Sequence, residues 1–188
     1  MKRVASSLLL LAACAKAAAS GPMSNTTDTA ELDRQIQRLL APSGDRQYAR
    51  ARGEALQWLL AHATDAYPRL FAIVDAPEPP ALAIMALAEF QRDDAVPVLE
   101  RILHAGADPT VVVASSALAR LSSPKARVSL ERALRDERDQ VVASAADALG
   151  ERGDASACGA LAAVLQHPSS DVRARIQKAA TRLGCKGS

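Results

Sequence analysis

The chain has 188 residues, enough for one domain and a leader; 49% are hydrophobic but only 3% aromatic, so its core must be built from Ala, Leu and Val. That composition suits thin helices, because Ala has the best helix propensity and lets helix axes approach closely. The formal net charge of +2 leaves little basic excess to neutralise a phosphate backbone, which argues against nucleic acid as a partner.

The N-terminal stretch differs in character from the rest of the chain. Lys2 and Arg3 precede an apolar run, Val4 to Ala13, that carries Leu8, Leu9, Leu10 and Leu11 and is too short to span a bilayer. It closes on Leu11-Ala12-Ala13-Cys14. Charge, apolar run, small residues and then Cys at this depth resemble a bacterial lipoprotein signal peptide. The resemblance implies that residues 1–13 are removed and that Cys14 is lipidated. Each buried methylene contributes about 0.8 kcal/mol, so two or three acyl chains hold a protein stably at a membrane. Removal of Lys2 and Arg3 takes the 23 basic residues to 21, against 21 acidic ones, a formal net of zero. Ala15, rather than Asp, follows the cysteine, which in that family implies transport to the outer membrane. Residues 14–28 then form a flexible tether of Ala, Ser, Thr and Asn with Gly21 and Pro22.

Helical spacing begins near Thr29. Leu32, Ile36, Leu39 and Leu40 share one face, with Asp28 and Glu31 at the favourable end of the helix dipole. This helix precedes a repeat and reads as its N-terminal cap, so the folded domain covers residues 29–188. From Arg46 onward the chain repeats at about 31 residues. Ala148-Leu149 recurs as Ala117-Leu118, Ala86-Leu87 and Ala55-Leu56, and as Ala179-Ala180 downstream. Leu161 and Leu165 recur as Leu130 and Leu134, then as Leu99 and Leu103; after a two-residue insertion, Leu70 and Val74 fill the same columns. Units begin near Arg46, Pro77, Asp108, Asp139 and Ser170; four carry two helices, and the last carries one, from about Asp171 to Leu183. Pro77-Glu78-Pro79-Pro80, Asp108-Pro109 and His167-Pro168 separate units, and Asp93-Asp94, Ser122-Ser123-Pro124 and Gly153-Asp154 separate helix from helix. The expected fold is all-α, an α-solenoid of stacked antiparallel helix pairs.

The run Ala148-Leu149-Gly150-Glu151-Arg152-Gly153-Asp154, with Asp171-Val172-Arg173 at the next start, resembles short HEAT-like repeats of the bacterial type shared with phycobilin lyases. The resemblance covers about Arg46 to Leu183 and implies an extended interaction surface, usually a concave face lined by second helices. It departs from the family in one respect: Arg173 has no counterpart at Val142 or Val111, so a continuous Asp/Arg ladder is not expected.

Chemistry-bearing groups are sparse. Of the three histidines, His62, His104 and His167, the last two are expected near the ends of second helices, which suits them better than a metal. A hydroxylase of the HEAT family binds iron through His-Glu pairs, and no histidine here is followed by glutamate. No glycine elbow surrounds any serine. The chain is therefore expected to be no enzyme and to need no cofactor, metal or small-molecule substrate. Glu100-Arg101 and Glu131-Arg132, one period apart on second helices, are expected to form a mixed-charge strip for a protein partner, with Phe71 as an apolar contact. All five aromatics, Tyr48, Trp58, Tyr67, Phe71 and Phe90, fall early and are expected to pack near the cap rather than to form a hot spot. One period before Cys185 lies Asp154, four residues short of Cys158, so Cys185 lies over the mouth of the neighbouring hairpin; in a compartment that permits disulfides, Cys158 and Cys185 are expected to pair. The reading is a lipid-anchored protein-interaction module on the periplasmic face of a bacterial envelope membrane. Its alternatives are a lyase-like or chaperone factor, or a pilot lipoprotein for an envelope machine.

Overall fold

The computed structural model describes residues 28–41 and 46–186. Residues 1–27 lie outside these, and with them Cys14, the signal segment and nearly all of the tether. The described chain is entirely helical: α1 (Thr29–Leu40), α2 (Arg46–Ala61), α3 (Ala63–Val74), α4 (Ala81–Glu89), α5 (Val96–Ala105), α6 (Asp108–Arg120), α7 (Pro124–Ala133), α8 (Asp139–Arg152), α9 (Cys158–Ala162) and α10 (Ser170–Leu183). Short 3-10 turns at Asp93–Ala95 and Ala155–Ala157 lead into α5 and α9.

The elements stack as an α-solenoid. First helices α4, α6, α8 and α10 pack in succession, while α5 packs on α6, α7 on both α6 and α8, and α9 on α10. At the front, α1 packs along α2 and also reaches α3 and α4. The recurring columns form the interior: Leu87, Leu118 and Leu149 in one row, and Leu70, Leu99, Leu130 and Leu161 in another, are all fully buried. Helices of three or four turns are marginal alone, and burial of these rows is what stabilises them.

Local chemistry sets the helix ends. Asp28 accepts from Ala30 N at 3.0 Å and Ser123 Oγ from Lys125 N at 3.2 Å, the latter ahead of Pro124 at the first helical position. Gly153 and Gly184 end α8 and α10 in the left-handed region, with φ of 74° and 69°. They sit 31 residues apart, and two periods before Gly153 the same column holds Gln91, also left-handed at φ 53°.

One junction is minimal, and one element differs from the sequence expectation. A single residue, His62, breaks α2 from α3; its ring stacks on Trp58 with centroids 3.9 Å apart. The apolar stretch Ala157 to Leu165 is α-helical only through Ala162. Beyond it, Val164 N and Leu165 N bond the carbonyls of Leu161 and Ala162, the tighter 3-10 spacing. Gly159 weakens this helix from inside. The half-unit after it is tied back instead by a disulfide between Cys158 and Cys185, whose Cα atoms are 5.5 Å apart.

Candidate functional site

Charged side chains run along the second helices and their turns. Arg101 on α5 turns back one unit, donating to Asp75 O at 3.1 Å and Asp75 Oδ1 at 2.8 Å. Glu100 pairs forward with Arg132 on α7 at 2.7 Å. Glu131 takes Arg127 of its own helix, and Arg127 Nε lies 3.5 Å from Asp154 before α9. The four residues of the expected strip thus pair with different partners: Glu100 with Arg132 across helices, Arg101 and Glu131 elsewhere. They make three separate sets of ion pairs, spread from the end of α3 to the start of α9. Phe71 is half-buried against the core, its ring 5.9 Å from that of Tyr67 on the same helix.

Arginines also close the ends of helices, which sequence reasoning missed. Arg138, at the N-cap of α8, donates to Leu103 O at 2.9 Å, His104 O at 2.5 Å and Gly106 O at 3.0 Å, all at the end of α5. Asp136 organises this knot: its carboxylate accepts from Arg138 N at 3.0 Å and from His104 Nδ1 at 2.6 Å. Burial pushes the Asp136 carboxyl up, but the Arg138 amide and His104 outweigh it, and the net shift is downward. Arg152 donates to Ser122 O and Ser123 O at 3.1 and 3.0 Å, and Arg173 to His167 O and Pro168 O at 2.6 and 2.7 Å. The signal was present in the sequence, since each of these arginines falls next to a break. A search along one fixed column could not find it.

A second polar group joins the first two units. Tyr67 is buried, donates its hydroxyl to Asp94, and carries the Arg92 guanidinium 4.2 Å from its ring centroid. Burial, then the Asp94 carboxylate, push the phenol well above its ordinary range, so it stays a protonated donor. Arg92 in turn holds Asp94 below the usual carboxylate range.

An opening of about 480 Å³ lies between the loop after α3 and the start of α6. Its lining comes from the loop after α3 (Pro77, Glu78, Pro79), from α5 (Arg101, Ile102, Ala105) and from the entry to α6 (Gly106, Ala107, Thr110). Gly106 is required there: a Cβ would lie 2.5 Å from Ile102 O and 2.6 Å from Thr110 Oγ1. Among the described residues no three His, Cys, Asp or Glu side chains are placed to hold a metal. No described helix is long and apolar enough to cross a membrane.

Comparison with known proteins gives the class. Residues 67–148 match the family model described as HEAT repeats, so that span carries HEAT-like repeats. No curated protein sequence matches it. Among solved structures it is similar to human deoxyhypusine hydroxylase in complex with glycerol, with a TM-score of 0.54 and 22% identity. That likeness covers 84% of this chain and 63% of that one, so it shows a shared fold, and this chain matches less than two thirds of the hydroxylase's length. It also corrects the expectation that the chain is no enzyme. That expectation treated stacked repeats as a binding surface only, whereas the same fold carries a hydroxylase. The stack is therefore no argument against catalysis.

Proposed function

We propose that this helical scaffold binds a protein partner and is held at a bacterial envelope membrane through a lipid on Cys14. The observation that carries the reading is the Cys158–Cys185 disulfide, which belongs to an oxidising compartment and so agrees with an exported chain. The ion pairs along α5 and α7 supply a mixed-charge face. A catalytic role is the second reading, favoured by the fold shared with the hydroxylase. The opening beside Arg101 is then the place for a substrate.

The test of the binding reading is capture by the full-length protein in detergent from envelope extract. Arg101→Gln with Arg132→Gln should lower recovery of a defined partner at least several-fold, with unchanged helical circular dichroism. Neutral substitutions are needed, because reversing either charge would set it against Asp75 or Glu100. Undiminished capture by the double variant would remove the strip from the account.

A further inference from the structure

The repeats serve as internal controls for one another, and one comparison identifies what the 480 Å³ cleft is shaped for. Ala107 and Arg138 are equivalent positions, 31 residues apart. Each is an N-cap in extended conformation, and the Ala107 carbonyl accepts from Thr110 N and Val111 N as that of Arg138 does from Val141 N and Val142 N. Ala105 and Asp136 are likewise equivalent. In the later unit Asp136 and Arg138 hold one another, with Arg138 Nε 3.6 Å from Asp136 Oδ1, while the guanidinium runs back across the junction to three carbonyls at the end of α5. In the earlier unit both side chains are methyl groups, and both line the cleft. The opening is the space in which the next unit keeps an Asp/Arg pair.

The surroundings suit the cationic member of that pair. The negative end of the α3 dipole points toward this junction. Arg101 lines the cleft but is neutralised by Asp75, whose carbonyl and carboxylate it bonds, whereas Glu78 in the same lining is exposed and makes no ion pair among the described residues. Pro77, Pro79 and Ile102 provide apolar surface along which a long aliphatic stem lies. The geometry points to this cleft as the docking site for an arginine side chain of a protein partner, in the place that Arg138 fills one unit later. This deepens the scaffold reading and rests on it only for the partner, not for the pocket.

The experiment uses the full-length protein in detergent and two blocked amino acids, N-acetyl-arginine methylamide and N-acetyl-glutamate methylamide. Amide shifts at Gly106, Ala107 and Thr110 should saturate with the arginine probe in the millimolar range and not move with the glutamate probe. The variant Ala105→Asp/Ala107→Arg, which rebuilds the later unit's pair, should remain helical and lose probe affinity at least tenfold. Ala105→Asp alone, which adds only an acid, should bind the arginine probe at least as well as the native chain.

Several outcomes overturn the assignment: no saturable shift with arginine, equal affinity in the rebuilt variant, or preference for glutamate through Arg101. Broadening that grows with protein concentration without any probe would give the cleft to a second copy instead, and would also overturn it. The two proposals fail separately. A partner captured equally by native and rebuilt chains sinks the arginine site and leaves the scaffold, whereas probe binding without any partner does the reverse.

Discussion

Arg138→Ala removes a guanidinium that serves three carbonyls at the end of α5 and braces Asp136. A hydrogen bond from a charged group contributes about 1.5–3 kcal/mol when shielded, and a cation at a helix C-terminus about 0.3–1 kcal/mol. The Arg138 side chain is 38% exposed, so solvent screening reduces both. A total of about 2 kcal/mol results, rather than the sum of three full bonds. For a domain of this size that lowers Tm by roughly 4–8 °C. Thermal melts of native protein, Arg138→Ala and Arg138→Lys, followed by circular dichroism at neutral pH, read the effect. Lysine keeps the charge but concentrates its donors on one nitrogen, so it should recover less than half of the loss. Because stacked repeats open locally, amide exchange in the first turn of α8 should accelerate in the alanine variant while α4 changes little. A Tm shift under about 1 °C, or full rescue by lysine, would show that the knot is surface decoration.

Three further outcomes rest on the same kind of contact. Gln91 occupies the left-handed region, costing about 1–2 kcal/mol for a non-glycine residue, while its side chain bonds Ala88 O, Arg120 O, Ser122 N and Ser122 Oγ. Gln91→Gly should therefore be less stable than native but more stable than Gln91→Ala by about 1 kcal/mol in urea melts; the reverse order would refute the strain. A Cβ on Gly150 would already lie 3.1 Å from Ala179 Cα, so Gly150→Leu should cost about 1–3 kcal/mol by forcing α8 from α10; an unchanged melt would mean the helices separate freely. Asp94 is held low by Arg92, so its stabilisation is present above the unfolded carboxyl value of about 3.9 and is lost as pH falls through the lower folded value. The Tm gap between native protein and Asp94→Asn should be constant above about pH 5 and close below about pH 4; a gap independent of pH would show that Asp94 acts through shape alone.

The fold was legible because burial imposes a strict period. Leu99, Leu130 and Leu161 must each meet the interior at the same phase, and a slip of one residue would expose the row. Breaks were equally legible where chemistry is local, as at Ser123-Pro124 and Gly153. Guanidinium contacts were not. An arginine stem is long enough for Arg101, Arg138, Arg152 and Arg173 to reach helix ends from four different columns, so no fixed spacing reveals them. The left-handed Gln91 shares a column with Gly153 and Gly184, yet its residue type conceals the conformation. The cleft was invisible for a related reason. Ala105 and Ala107 read as ordinary small residues until Asp136 and Arg138 show what the equivalent space holds.

The reading of the chain as a membrane-held scaffold stands most directly on Cys14. Cells producing the native chain or Cys14→Ala are grown with labelled palmitate, and the protein is recovered and counted. Label in the native protein, with none in the variant and the variant's signal segment uncleaved, is the expected result. Equal labelling of the two, or none in either, would contradict the lipid anchor and with it the membrane placement of the scaffold.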